Sequence, residues 1–173
     1  SIMKVLLTGI GGSIGVHVLA HIMHNTNWEI VGLDSFRHKG YRDRVEAMFE
    51  APPDWRERVT VHQHDLVCPI SPELQEVIGD VDYILHLAAL SDVFFSVENP
   101  VYTIKNNIES TLTMLEYAKR TPHKAFVYFS TDEVYGPTTR DGSHSEWDAH
   151  RPSNAYSASK AASEDICYPY WRS

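Results

Sequence analysis

The segment Thr8-Gly9-Ile10-Gly11-Gly12-Ser13-Ile14-Gly15 constrains the fold of this chain more than any other. It follows a short apolar run at residues 4–7 and opens a stretch from Ser13 to about His24, in which Ile14, Val18, Leu19 and Ile22 share one side. Gly9, Gly12 and Gly15 stand at a regular spacing of three. Between a strand and a helix, the first such glycine permits a tight turn and the second lets backbone approach a pyrophosphate. The third lets helix and strand pack closely. The helix start presents unbonded amides and the positive end of its dipole to phosphate. Asp34 follows the next apolar run, 29–33, and stands nineteen positions beyond Gly15, where a carboxylate meets adenosine ribose hydroxyls. The pattern predicts a dinucleotide-binding βαβ unit with Gly9, Gly12, Ser13, Ile14, Gly15 and Asp34 at the cofactor. A carboxylate there repels a 2′-phosphate, which favours NAD over NADP, whereas the nearby Arg37 pulls the other way.

Further apolar runs at 59–62, 81–87 and 125–129 read as strands, several of them apolar throughout, as parallel strands covered on both faces are. Helical stretches alternate with them. One starts near Pro100 and spaces Val101, Ile104, Ile108 and Leu115 helically; another starts near Ser153 and carries Tyr156 and Lys160. Weaker ones occupy 42–49 and 71–77. This alternation implies a Rossmann-type, doubly wound parallel sheet. Its 173 residues suit one domain, read as 1–173. Trp55 and residues 51–53 read as a loop excursion, and the polar stretch 136–152 as a long surface loop of the kind that usually carries function.

Composition narrows the partners. A net charge of -8, with 23 acidic against 15 basic residues and no Lys/Arg cluster, argues against a nucleic-acid surface. Backbone amides can still hold a phosphate. Cys68 and Cys167 form no CxxC pair, and no apolar run is long enough to span a membrane, so a cytoplasmic protein is expected. His17, His21 and His24 line one helix face, read as a solvated face rather than a metal site. His86, closing an apolar run, is expected to bond a backbone group.

Tyr156 and Lys160 lie four residues apart and so project from one helix face. A nearby ammonium stabilises a tyrosinate, which makes the phenol a workable base. Thr131 ends the fifth strand, at the sheet edge where open α/β folds bind ligands, and is placed to donate to the oxygen that Tyr156 deprotonates. Asp65 and Leu66 follow the third strand, at the level of an adenine.

Thr8-Gly9 to Gly15, His86-Leu87-Ala88-Ala89, Asn107, Ser130 to Gly136 and Tyr156 to Lys160 together resemble the extended short-chain dehydrogenases, the NAD-dependent epimerase/dehydratase family. Ser130-Thr131-Asp132-Glu133-Val134-Tyr135-Gly136 and Pro152-Ser153-Asn154-Ala155-Tyr156-Ser157-Ala158-Ser159-Lys160 are most similar to the dTDP-glucose 4,6-dehydratases. The resemblance implies NAD as cofactor, with Asp65, Leu66, Leu87, Ala88, Ala89, Asn107, Tyr156 and Lys160 added to its contacts. It implies a nucleotide-sugar substrate touching Ser91 and Thr131, and catalysis by Thr131, Asp132, Glu133, Tyr156 and Lys160. The reaction so implied oxidises C4, eliminates water across C5 and C6 and returns the hydride at C6. Glu133 is its base and Asp132 its acid, two adjacent carboxyls dividing the proton transfers. A 4-epimerase, a decarboxylase, or a non-catalytic dinucleotide-binding module or inactive fragment are the alternatives. Where those dehydratases continue with polar residues after the alanine pair, this chain has Leu90-Ser91-Asp92-Val93-Phe94-Phe95-Ser96. In the family the sheet continues past the Tyr-Lys helix into a substrate-binding region, so the chain is expected to be the N-terminal part, able to bind NAD but turning over little substrate alone. A homodimer through the helices near 100–120 and 153–170 is also implied.

Overall fold

The computed structural model describes residues 1–37, 40–50, 54–129 and 154–172. Five strands are β1 (Lys4–Thr8), β2 (Glu29–Asp34), β3 (Val59–Gln63), β4 (Tyr83–His86) and β5 (Ala125–Tyr128). The helices among them are α1 (Ser13–Asn25), α2 (Tyr41–Glu50), α3 (Trp55–Arg58), α4 (Pro72–Ile78), α5 (Val93–Glu98), α6 (Pro100–Lys119) and α7 (Ala155–Arg172). All strand pairs are parallel, in the order β3-β2-β1-β4-β5. This is the doubly wound Rossmann-type sheet the alternating pattern predicts.

The two faces of the sheet can be read off the side-chain period of two. On β1, Val5 and Leu7 join Leu19, Ile22 and Met23 of α1 in one core. Leu6 points the other way, into a second core with Ile78 of α4 and Met114, Tyr117 and Ala118 of α6. Opposite Leu7 stands Gly32, where an added Cβ would run into the Ile10 side chain. A larger residue there would have to displace the Ile10 side chain.

Several helix ends are tied down by side chains. Arg58 donates to the carbonyls of Thr26 and Met23 at 2.7 and 2.8 Å, fixing the exit of α1. Trp55 opens α3 and is buried in the first core, edge-on to His24. The expectation of a bare loop excursion at Trp55 is therefore corrected: burial of a large indole holds one helical turn against the sheet. α5 is likewise a helix where none was expected, its first turn capped by Asp92, which accepts from the Phe95 N–H at 3.1 Å.

α7 lies along α6, and the seam is built from small polar side chains. Ser157, Ser159 and Ser163 of α7 and Ser110 and Thr111 of α6 are all buried. The hydroxyls of Ser110, Thr111, Ser159 and Ser163 return to main-chain carbonyls, so the close approach leaves them satisfied: Ser159 donates to Tyr156 O and the other three to Asn107 O.

Candidate functional site

Parallel strands end together at one sheet edge, and the loops leaving them enclose a cleft. Gly9, Gly12, Ser13, Ile14 and Gly15 line it from the first turn, and Asp34 and Arg37 from the end of β2. Asp65 and Leu66 follow β3 into it, Leu87, Ala88, Ala89 and Ser91 follow β4, and Tyr156 and Lys160 reach it from α7. All the sequence-predicted residues of the described regions except Asn107 thus converge on one cavity. Thr131, Asp132 and Glu133 fall outside the described residues, as does the stretch 136–152.

The first turn shows why its glycines are needed. Gly9 has φ +73°, and a Cβ there would sit 2.8 Å from the Ala88 amide nitrogen. A Cβ on Gly15 would strike the Gly9 carbonyl oxygen. Gly12 is the N-cap of α1 and gives the helix no side-chain cap, and no acidic residue stands in the first turn. The start of α1 keeps its amides and dipole end for an anion.

Asp34 is buried. Its Oδ2 accepts from the Gly11 N–H at 2.8 Å and its Oδ1 from the Phe36 N–H at 2.9 Å. The carboxylate thereby fixes the turn after β2, in which Phe36 takes φ 54°, an unusual conformation for a side chain of that bulk. Each oxygen retains a further lone pair for a ligand hydroxyl.

His86 sits fully buried between two threonines. Thr8 Oγ1 accepts from the Leu87 and Ala88 amides, each at 3.1 Å, so its own proton goes to His86 Nδ1 at 2.7 Å. The Nε2 proton then goes to Thr111 Oγ1 at 3.1 Å, and Thr111 donates onward to Asn107 O at 3.0 Å. Burial, with the charge of Lys160 adding to it, lowers the imidazole pKa to about 3, so the ring is neutral. The expected backbone partner is corrected here: the ring is held by hydroxyls contributed by β1 and α6.

Asn107 bonds the backbone of Leu90, which lines the cleft. Its Oδ1 accepts from the Leu90 N–H at 2.7 Å, and its Nδ2 donates to Leu90 O at 3.2 Å and Ser159 Oγ at 2.9 Å. One side chain joins the loop after β4 to both long helices.

Lys160 is buried, its ammonium 4.4 Å from the centroid of the Tyr128 ring, whose hydroxyl donates to Lys160 O. Desolvation lowers the lysine pKa to about 8 against the opposing pull of Cys167 and Glu164. Tyr156, one turn earlier on α7, shares the cleft. Burial pushes Tyr128 upward, so its phenol stays neutral.

Leu90, Asn106 and Phe129 also line the cleft without having been singled out. Phe129 directly follows β5, so its place at the carboxyl end of a strand was the available signal. His17, His21 and His24 are exposed, and among the described residues no group of His, Cys, Asp or Glu is arranged to hold a metal. No helix among them is long and apolar enough to cross a membrane.

Comparison with known proteins follows the same lines. A family model described as GDP-mannose 4,6 dehydratase matches residues 6–173. The chain is 32% identical to dTDP-glucose 4,6-dehydratase 1 of Escherichia coli, over 95% of this chain and 49% of that protein. It is 32% identical to UDP-glucuronic acid decarboxylase 6 of Arabidopsis thaliana, over 98% of this chain and 47% of the other. Among solved structures, dTDP-glucose 4,6-dehydratase from Streptomyces venezuelae, crystallised with NAD, superposes with a TM-score of 0.85 at 30% identity, covering 99% of this chain and 52% of that one. Nucleotide-sugar 4-epimerases match as well. The chain spans about half the length of the relatives it matches.

Proposed function

Because the chain belongs to the GDP-mannose 4,6 dehydratase family, whose model spans residues 6–173, we propose that it forms the NAD-binding part of an NAD-dependent nucleotide-sugar 4,6-dehydratase. One observation carries the reading: a single cleft brings together an uncapped helix start, a buried carboxylate, and a tyrosine and lysine on one helix face. The residues fit a dinucleotide. The cradle at Gly9 admits no Cβ, the α1 amides suit a pyrophosphate, and Asp34 suits a ribose diol. NAD, when bound, would supply the hydride acceptor for C4 of the sugar and, reduced, the hydride donor for C6.

The chain's own groups handle the protons. Tyr156 removes the C4 hydroxyl proton, and Thr131 donates a hydrogen bond to the same oxygen. Lys160 supplies the positive charge that stabilises the tyrosinate, and its ammonium is present below about pH 8. Glu133 takes the C5 proton while Asp132 protonates the departing C6 hydroxyl, so that water leaves and a C5–C6 double bond forms. After hydride returns to C6, a proton is restored at C5. Two carboxyls beside Thr131 suit an elimination, whereas simple C4 inversion has no need of them. The reading includes a homodimer through α6 and α7, the latter carrying the exposed aromatic side chains Tyr168 and Trp171.

The alternatives give different products. Incubation of the full-length protein with NAD and a panel of UDP- and dTDP-sugars should give a 4-keto-6-deoxy sugar. A C4-inverted sugar would instead establish an epimerase, and released CO2 a decarboxylase. A Glu133→Gln variant should halt at the 4-keto sugar with the C6 hydroxyl retained. Undiminished dehydration by that variant would remove Glu133 from its role.

A further inference from the structure

We infer that Asp65 sets the dinucleotide preference of the cleft by holding Arg37 in an ion pair, so that the arginine does not serve a 2′-phosphate. The inference rests on the cleft being the dinucleotide site. The end of β2 carries two opposed signals, an aspartate that favours an unmodified ribose and, three residues on, an arginine of the kind that accepts a 2′-phosphate. Which signal prevails depends on whether the guanidinium is committed elsewhere. It is: Arg37 Nη1 lies 3.3 Å from Asp65 Oδ2, and Nη2 donates to Asn106 Oδ1 at 3.3 Å. The guanidinium carbon also stands 6.0 Å from the centroid of the Tyr102 ring. Asp34 cannot swing aside to relieve the balance, since both its oxygens are fixed by the Gly11 and Phe36 amides. Two carboxylates, Asp34 and Asp65, and one guanidinium therefore line this part of the cleft, leaving a net negative charge where a 2′-phosphate would add up to two more.

The restraint is loose. The side chains of Arg37 and Asp65 are 44% and 33% exposed, and a pair so hydrated is weakly held. One substitution should then shift preference without disturbing the fold. Asp65→Asn suits the purpose, because Oδ1 of Asp65 accepts from the Val67 N–H at 3.2 Å and an asparagine oxygen keeps that turn.

The test is calorimetric titration of NAD and NADP into the wild type, Asp65→Asn, and Asp65→Asn combined with Arg37→Met, with circular dichroism confirming that each is folded. The wild type should prefer NAD. Asp65→Asn should raise the NADP-to-NAD affinity ratio roughly two- to fivefold, the scale of an exposed ion pair, and the added Arg37→Met should abolish the rise. An unchanged ratio in Asp65→Asn would overturn the inference. So would a rise that persists without Arg37, which would mean that Asp65 repels the phosphate directly. Failure of the wild type to bind either dinucleotide would overturn the cleft assignment itself, and the inference with it.

Discussion

His86 is the residue that best shows how a core polar group can serve the site without entering it. Its ring accepts a hydrogen bond from Thr8 and donates one to Thr111, which keeps the neutral tautomer and orients the hydroxyl that receives the Leu87 and Ala88 amides. Those amides border the Gly9 turn. Because the folded-state pKa is lowered to about 3 from an ordinary 6.5, the unfolded chain binds a proton between those values that the folded chain refuses. Stability from this group is therefore present above about pH 6.5 and lost as pH falls toward 3, at about 1.4 kcal/mol per pH unit. Urea unfolding of the wild type and His86→Gln across that range should show the wild type losing stability more steeply. Parallel pH profiles would contradict the buried neutral ring. The sequence announced a histidine ending an apolar strand, but not its partners. Thr8 lies 78 positions away along the chain, and only the β1–β4 register brings the two together.

At the scale of elements, the seam between α6 and α7 does the positioning. Asn107 spans it, and loss of its side chain would leave the buried Leu90 amide and carbonyl unpaired. An Asn107→Leu change should cost about 1–3 kcal/mol for each such group. It should also weaken NAD binding, since Ser159 and the first turn of α7 lose their tie to the loop after β4. Denaturant unfolding and NAD titration check the two effects, and an unaltered midpoint would refute the bridging role. The elements themselves were largely legible, because parallel strands buried on both faces declare themselves as apolar runs. α3 and α5 were not. Each has only a turn or two, too short for a helical period, and α3 is held by burial of Trp55 rather than by any local pattern. The site was legible in its fingerprint, from Gly9 to Gly15, Asp34, and Tyr156 with Lys160. The commitment of Arg37 to Asp65 was not, since it joins the ends of neighbouring strands by a contact that no spacing rule encodes.

For the whole molecule, the architecture gathers strand ends, two long helices and one glycine-rich turn around a single cleft. On the proposed reading, dinucleotide binding, proton transfer by Tyr156 and charge support by Lys160 then belong to one place, which is what moving a hydride out of a sugar and back into it requires. The reactions open to relatives at about 30% identity differ in where that hydride ends. Dehydration carries it from C4 to C6, whereas epimerisation returns it to C4. The most direct measurement is therefore to supply the full-length protein with a nucleotide hexose labelled with deuterium at C4, in unlabelled water with catalytic NAD, and to locate the label by NMR. The expected result is a 4-keto-6-deoxy sugar with deuterium in its C6 methyl group. Deuterium remaining at C4 of a hexose or pentose product would contradict a 4,6-dehydratase.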